Sequence, residues 1–148
     1  MAKNIRRDIR TLLSFAVHDL QAQVNTRLAK KGYPVLRPAQ AHVLAFVDAT
    51  GLRLSELITR CGLAKQTVGD VVDELERLKM VERFADPNHG VIKRVRLGQK
   101  GRAWAADMRK VADAVEAQWE TLLGKTKVRE LRRLLEDLTA ALATESES

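Results

Sequence analysis

Cysteine occurs once in these 148 residues, as Cys61, so no internal disulfide can brace the fold, and a reducing compartment is the expected setting. Aromatic residues make up only 4 % against 45 % hydrophobic residues overall, the balance of an Ala- and Leu-rich helical protein. No apolar run approaches the ~20 residues that a membrane-spanning helix needs, and the basic start of the chain has no apolar signal core, so a cytoplasmic protein without a membrane segment is expected. Proline is confined to Pro34, Pro38 and Pro87, where it punctuates rather than interrupts periodic segments. Acidic residues are absent between Lys93 and Arg102, a stretch holding Lys93, Arg94, Arg96, Lys100 and Arg102.

That last absence belongs to a wider charge pattern. The formal charge is +7, and it is unevenly spread. Residues 1–51 hold eight basic and three acidic residues, residues 52–102 hold eleven and seven, and residues 103–148 hold seven and nine. Basicity therefore lies on the first two thirds. Such a distribution suits a polyanionic partner, although charge alone describes a solvated basic face equally well. The length fits one domain, or one small domain built into a dimer.

Between Leu52 and Arg102 the pattern reads helix, tight turn, helix, hairpin. Leu54–Cys61 has Leu57, Ile58 and Cys61 on one face, with Ser55 as the expected N-cap. Gly62-Leu63 makes the turn. Val68, Val71, Val72, Leu75 and Leu78 then space out the buried face of a second helix. Lys65, Gln66, Gly69, Asp70 and Asp73 are left pointing outward near its start. Two helices joined this way present a helix end to the DNA major groove. After Lys79, Val81–Phe84 reads as a strand, Asp86-Pro87-Asn88-His89-Gly90 as a turn, and Val91–Leu97 as the returning strand. If Lys79 takes a left-handed conformation to end the second helix, that cap is strained by roughly 1 kcal/mol.

The flanks are helical. Ile5, Ile9, Leu12, Leu13, Ala16, Val17, Leu20, Val24 and Leu28 predict an amphipathic helix over residues 5–30, ended by Gly32. Pro38 suits the first turn of a helix over 38–48 that buries Val43, Leu44 and Val47. Trp104, Met108, Val111, Val115, Trp119 and Leu122 mark a helix over 99–123, broken at Gly124. Val128, Leu131, Leu135, Leu138 and Leu142 repeat at three and four residues, a seam typical of helix pairing. Thr144–Ser148 reads as a frayed end. The fold class is mainly α, an α+β winged helix. A single domain over 1–148 is expected, with a winged helix-turn-helix lobe over 38–98 and long dimerisation helices over 5–30 and 99–144. A small reading unit cannot bury all those stripes, and a symmetric homodimer is the economical solution, with a monomeric helical packing as the alternative.

These residues resemble the MarR family of dimeric winged-helix transcription regulators. The likeness runs through Leu54-Ser55-Glu56-Leu57, Leu63-Ala64-Lys65-Gln66-Thr67-Val68, Val71-Val72-Asp73-Glu74-Leu75-Glu76-Arg77, Val81-Glu82-Arg83, Asp86-Pro87, Val95-Arg96-Leu97 and Gly101. The resemblance implies a homodimer that binds a pseudo-palindromic operator on double-stranded DNA, often a repressor released by a small aromatic or anionic effector. In three places the chain departs from the family pattern. His89, Gly90 and Val91 stand where an Asp and one or two minor-groove arginines are usual, Asp70 replaces a frequent Arg, and Lys79-Met80 replaces Gly-Leu.

Each candidate residue has a chemical reason. Lys65 and Gln66, in the first turn of the second helix, can donate to guanine or pair with adenine. Thr67 is either a phosphate contact or a helix-start hydrogen bond. Ser55 caps its helix and touches phosphate. Gly69 lets the helix approach the groove closely, at about 1 kcal/mol of helix propensity relative to Ala. Asp70 is repelled by phosphates unless it accepts from cytosine N4 or pairs with a basic side chain. Arg53, Lys93, Arg94 and Arg96 are expected electrostatic contacts to phosphate, though alternate strand residues face opposite ways, so not all four can reach. Cys61, on an inward face without a second cysteine, is expected to be an inert core residue. His18, His42 and His89 lack metal-type spacing, so no metal and no cofactor are expected. Phe15, Tyr33, His42, Phe46 and Trp104 are candidates to line an effector crevice. No phosphate-cradling loop, paired carboxylate motif or nucleophile elbow points to an enzyme. The competing expectation is a winged-helix interaction module that has lost specific DNA binding and contacts protein, favoured by the altered wing and Asp70.

Overall fold

The computed structural model describes residues 7–146. Nine elements follow one another: α1 (Ile9–Ala29), α2 (Pro38–Ala45), β1 (Leu52–Arg53), α3 (Leu54–Cys61), α4 (Lys65–Arg77), β2 (Val81–Ala85), β3 (Lys93–Leu97), α5 (Gln99–Leu123) and α6 (Lys125–Ser146). The three strands form one antiparallel sheet in the order β1-β3-β2. The chain divides into two compact units, residues 1–109 and 110–148.

The core of the first unit comes from the periodic residues. Val43 and Leu44 of α2, Leu57 and Cys61 of α3, Val68, Val71, Val72 and Leu75 of α4, and Val81 and Val95 of the sheet are all buried. Helix α1 behaves differently at its two ends. Val24 and Leu28 are buried, while Ile9, Leu12, Leu13 and Val17 stay exposed. It begins at Ile9, with Asp8 as its cap accepting from Thr11 N–H at 2.9 Å; residues 7–8, expected to be helical, are not, and the expected start at residue 5 falls outside the described residues. Helix α2 is shorter than expected, ending at Ala45 with Phe46 as its cap.

Two expectations at α3 and the hairpin need correction. Ser55 does not cap α3. Arg53 occupies the N-cap, and Glu56 three residues on accepts the Arg53 N–H at 2.7 Å, one half of a capping box. Ser55 is thus inside the helix, exposed, with its carbonyl accepting from the Thr59 hydroxyl at 3.1 Å. The returning strand begins at Lys93, not Val91, because Ile92 N–H closes onto the His89 carbonyl at 2.8 Å and lengthens the turn. Strand β1 was not foreseen, since two residues carry no periodicity; its pairs are Leu52 with Val95 and Arg53 with Arg94.

The link from α3 to α4 turns at Gly62, which ends α3 with φ 65°, a left-handed conformation that glycine takes without a Cβ clash. Helix α4 ends in the same region without a glycine: Lys79 has φ 60°. There Lys79 N–H donates to Glu76 O and Met80 N–H to Leu75 O, both at 2.9 Å, the paired bonds of a Schellman cap. Beyond β3, the backbone passes so close to β2 that a Cβ on Gly101 would lie 1.9 Å from the Met80 carbonyl oxygen, and one on Gly98 2.9 Å from the Lys79 carbonyl oxygen. Only glycine fits at 101.

In the second unit, the end of α5 and all of α6 form a helical hairpin that reverses at Gly124 (φ 91°). Arg132 reaches across it to Glu116, with Nε donating at 3.0 Å. Val115 and Val128 are buried, whereas Leu131, Leu134, Leu135, Leu138 and Leu142 are exposed. Helix continues through Ser146, so the frayed end expected from Thr144 is not seen as far as that residue, and residues 147–148 are outside the described part.

Substituting Lys79→Gly should remove the left-handed strain and stabilise the protein by about 1 kcal/mol. A denaturant midpoint that rises at unchanged slope is the expected result; an unchanged or lower midpoint contradicts it.

Candidate nucleic-acid interface

Helix α4 buries Val68, Val71, Val72 and Leu75, so its opposite ridge is set by the ~100° turn per residue. That ridge is Gln66, Asp70, Asp73 and Arg77, all exposed, with Lys65 and Thr67 exposed on its flanks. Among the described residues, the side chains of Lys65, Gln66, Thr67 and Asp70 make no hydrogen bond or ion pair with the chain's own groups. The helix-start hydrogen bond considered for Thr67 is therefore not formed. A Cβ on Gly69 would meet nothing within 4 Å; its lack of a side chain serves no internal packing.

The rear and the C-terminal half of α4 are tied down instead. Arg37 pairs with Glu74, and Gln40 Nε2, on a buried side chain, donates to Glu74 at 2.9 Å. The Arg37 guanidinium, then Gln40, hold the Glu74 carboxyl below its usual range against the opposing effect of burial. Arg83 on β2 pairs with Asp73 at 2.7 Å and with Glu76 at 3.1 Å. Arg77 Nε turns back to the Asp73 carbonyl at 3.3 Å.

The hairpin is organised by Asp86, only 3 % exposed. One carboxylate oxygen accepts the Asn88 N–H at 2.9 Å. The other faces Arg94 Nη1 at 3.3 Å and Arg53 Nε at 3.4 Å. Arg94 also donates through Nη2 to the Gly51 carbonyl at 2.8 Å. The Asn88 N–H is the main influence lowering the Asp86 pKa; burial opposes it, and the two arginines add to it. Asp86 thus joins β1, β3 and the turn. Sequence reasoning read Asp86-Pro87 as turn chemistry and missed this anchor. The turn motif was visible, but its arginine partners lie 33 and 8 positions away.

The basic stripe divides accordingly. Arg53 and Arg94, expected to touch phosphate, have their guanidinium groups engaged by Asp86. Arg96 is paired with Glu82 at 2.6 Å and lies over the Phe84 ring at 4.5 Å. Arg102 donates to the Leu97 carbonyl at 3.0 Å. Lys93 and Lys100 are exposed and, among the described residues, have no partner in the chain. The tip holds Pro87 to Ile92 and no Lys or Arg; Val91 there is 95 % exposed. Helices α3 and α4 with this hairpin make a winged helix-turn-helix.

A model of the MarR family matches residues 36–90, from the residue pair before α2 to the wing turn. Over those residues the lobe is similar to the MarR family. A structure of MarR is similar with a TM-score of 0.77 at 19 % identity, covering all of both chains. A MarR-family transcriptional regulator from Rhodococcus sp. RHA1 shares 26 % identity over 93 % of this chain and 97 % of its own, with a TM-score of 0.68. CouR from Rhodococcus jostii RHA1, solved bound to p-coumaroyl-CoA, shares 26 % identity over 93 % and 95 %, with a TM-score of 0.67. No curated protein matches the chain.

The other candidate residues separate clearly. Cys61 is buried, and burial pushes its thiol pKa up, away from the reactive thiolate. His42 Nε2 meets the Cys61 carbonyl at 2.9 Å, so that nitrogen carries the proton. Among the described residues no three His, Cys, Asp or Glu side chains converge as a metal site would require. A cleft of about 1560 Å³ in the first unit is lined mainly by apolar side chains of α1, α2 and α5, with His18, Arg102 and Arg109 among them. Of the five crevice candidates, His42 and Trp104 line it; Phe15, Tyr33 and Phe46 do not. Tyr33 donates instead to Asp107 at 2.8 Å, and Lys31 pairs with the same carboxylate at 3.0 Å.

Replacing Asp86 by Asn tests the anchor. Because its pKa is lowered on folding, Asp86 stabilises fully above the unfolded carboxylate value of about 3.9 and that contribution is lost as pH falls through the folded value. Asp86→Asn should therefore unfold at lower denaturant than wild type at pH 7, with the gap closing below about pH 4. A gap that does not change with pH rules out the ionised anchor.

Proposed function

We propose that this chain is a homodimeric, sequence-specific DNA-binding transcription regulator, a repressor released by a small ligand. One observation carries the reading: α4 presents Lys65, Gln66 and Asp70 to solvent without partners among the described residues, while its other charged residues are engaged within the lobe. Side chains so disposed at the start of a recognition helix suit base edges in a major groove. Lys93 at the base of the wing supplies a phosphate contact, and Ser55 and Arg53 lie at the start of α3, where backbone N–H groups favour anions. Arg94 acts chiefly through Asp86. The likeness to a transcriptional regulator at 26 % identity supports the same reading.

Dimerisation is supported by the apolar residues that each unit leaves uncovered. Ile9, Leu12 and Leu13 on α1, and Leu131, Leu135, Leu138 and Leu142 on α6, are between 37 % and 76 % exposed. A second copy of the chain covers a self-complementary row by a twofold interface. Two α4 helices about 34 Å apart then match successive major grooves. The large apolar cleft, with histidines and arginines on its wall, suits a small aromatic or anionic effector; CouR binds p-coumaroyl-CoA in its own structure. An effector favouring a dimer whose helix spacing does not match the grooves releases the operator.

A second reading has one observation in its favour. The wing tip carries exposed Val91 and no Lys or Arg, which suits contact with a protein rather than with a minor groove. Binding to duplex DNA at several salt concentrations separates the two. The regulator should lose affinity steeply as salt rises, and Lys93→Ala should flatten the log–log slope by about one unit per protomer. Affinity indifferent to salt supports the protein-contact module.

Leu135→Glu combined with Leu138→Glu should convert a dimer to monomers in sedimentation, with the helical circular dichroism retained. Wild type sedimenting as a monomer at working concentration contradicts the proposal, as does a double variant that stays dimeric.

A further inference from the structure

Four carboxylates lie along α4 after its first turn, and three of them are matched by an arginine of the same chain. Asp73 and Glu76 are paired with Arg83, and Glu74 with Arg37. Asp70 is the exception. Its side chain is exposed, has no hydrogen bond or ion pair among the described residues, and sits on the ridge opposite Val68, Val72 and Leu75. Gln66, one turn earlier, precedes it on that ridge. Gly69 beside it has open space where a Cβ would stand, so no neighbouring side chain shields the carboxylate from what approaches the helix.

An unmatched carboxylate at a DNA-facing surface is repelled by phosphates and favours binding only where a base donates to it. A carboxylate can only accept. In the major groove guanine offers the acceptors N7 and O6, and thymine the acceptor O4. Adenine sets the acceptor N7 beside its N6 donor. Cytosine alone offers a donor, N4–H₂, with no acceptor on the same edge. We propose that Asp70 is a specificity-determining residue that reads a cytosine in each operator half-site by accepting from its N4 amino group. This rests on the reading of the chain as a DNA-binding regulator and adds the base that one residue selects. The carboxylate thus acts by selection: it weakens binding to every duplex that puts another base beneath it.

The test is a selection from random duplexes with the full chain and its Asp70→Ala and Asp70→Asn variants, followed by affinities for the enriched duplex and its single-base changes. Both variants alter an exposed side chain, and thermal melts check that they remain folded. Wild type should enrich a C·G pair at one position of each half-site and lose roughly 5- to 150-fold in affinity when that pair is changed. Asp70→Ala should bind all four pairs at that position alike. Asp70→Asn, which presents a donor and an acceptor, should shift the preference to adenine. If Asp70→Ala keeps every wild-type preference, or gains affinity for all duplexes equally, Asp70 only repels phosphate and the proposal falls while the regulator reading stands. If wild type enriches no duplex, the regulator reading itself falls, and this inference with it.

Discussion

The buried row Val68, Val71, Val72 and Leu75 governs the rest of the lobe. Four branched side chains in the core leave α4 no rotational freedom about its own axis, because turning it would expose one of them and bury a charge. Burying each such side chain contributes about 1.5–3 kcal/mol, far more than any surface ion pair. The face shown to solvent is therefore decided by packing on the far side. The arginine ties to Asp73, Glu74 and Glu76 then act on a helix already oriented, and they neutralise the acids that would otherwise lie near a polyanion. What remains unengaged at the start of α4 is Lys65, Gln66, Thr67 and Asp70.

The wing follows a second constraint. A hairpin of two five-residue strands is marginal on its own. Here β3 gains a further neighbour in β1, and Asp86 locks all three parts through the Asn88 N–H, Arg94 and Arg53. The consequence for chemistry is that three of the basic residues between Lys93 and Arg102, namely Arg94, Arg96 and Arg102, serve the lobe's own architecture. A count of charges overstates what a partner would meet. Among the described residues Lys93 and Lys100 are the unpaired cations of that stripe, and the tip beyond Lys93 carries no Lys or Arg.

Periodicity made much of the fold legible. The spacing of Val68 to Leu75, the Gly62 turn and the break at Gly124 each have a local cause that the sequence displays, and the left-handed Lys79 follows from a helix end without glycine. Three features were hidden for physical reasons. The cap of α3 shifted from Ser55 to Arg53 because Glu56 supplies the hydrogen bond, and a backbone N–H donor can belong to any residue type. Strand β1 is too short to show alternation. The Asp86 anchor depends on residues distant in sequence, which no local pattern connects. In the candidate interface, Lys65, Gln66, Asp70 and Lys93 were legible as exposed polar groups, but their lack of partners, which distinguishes them from Arg94 and Arg96, is a tertiary fact.

Gly98 and Gly101 join the first turn of α5 to the Lys79–Met80 backbone with no side chain between them, and the Gly98 N–H donates to the Met80 carbonyl at 3.0 Å. Contact between two main chains leaves no rotamer to absorb a displacement. The first turn of α5 is therefore held in fixed register with the end of α4 and the root of the hairpin, which makes this junction a rigid joint rather than a hinge.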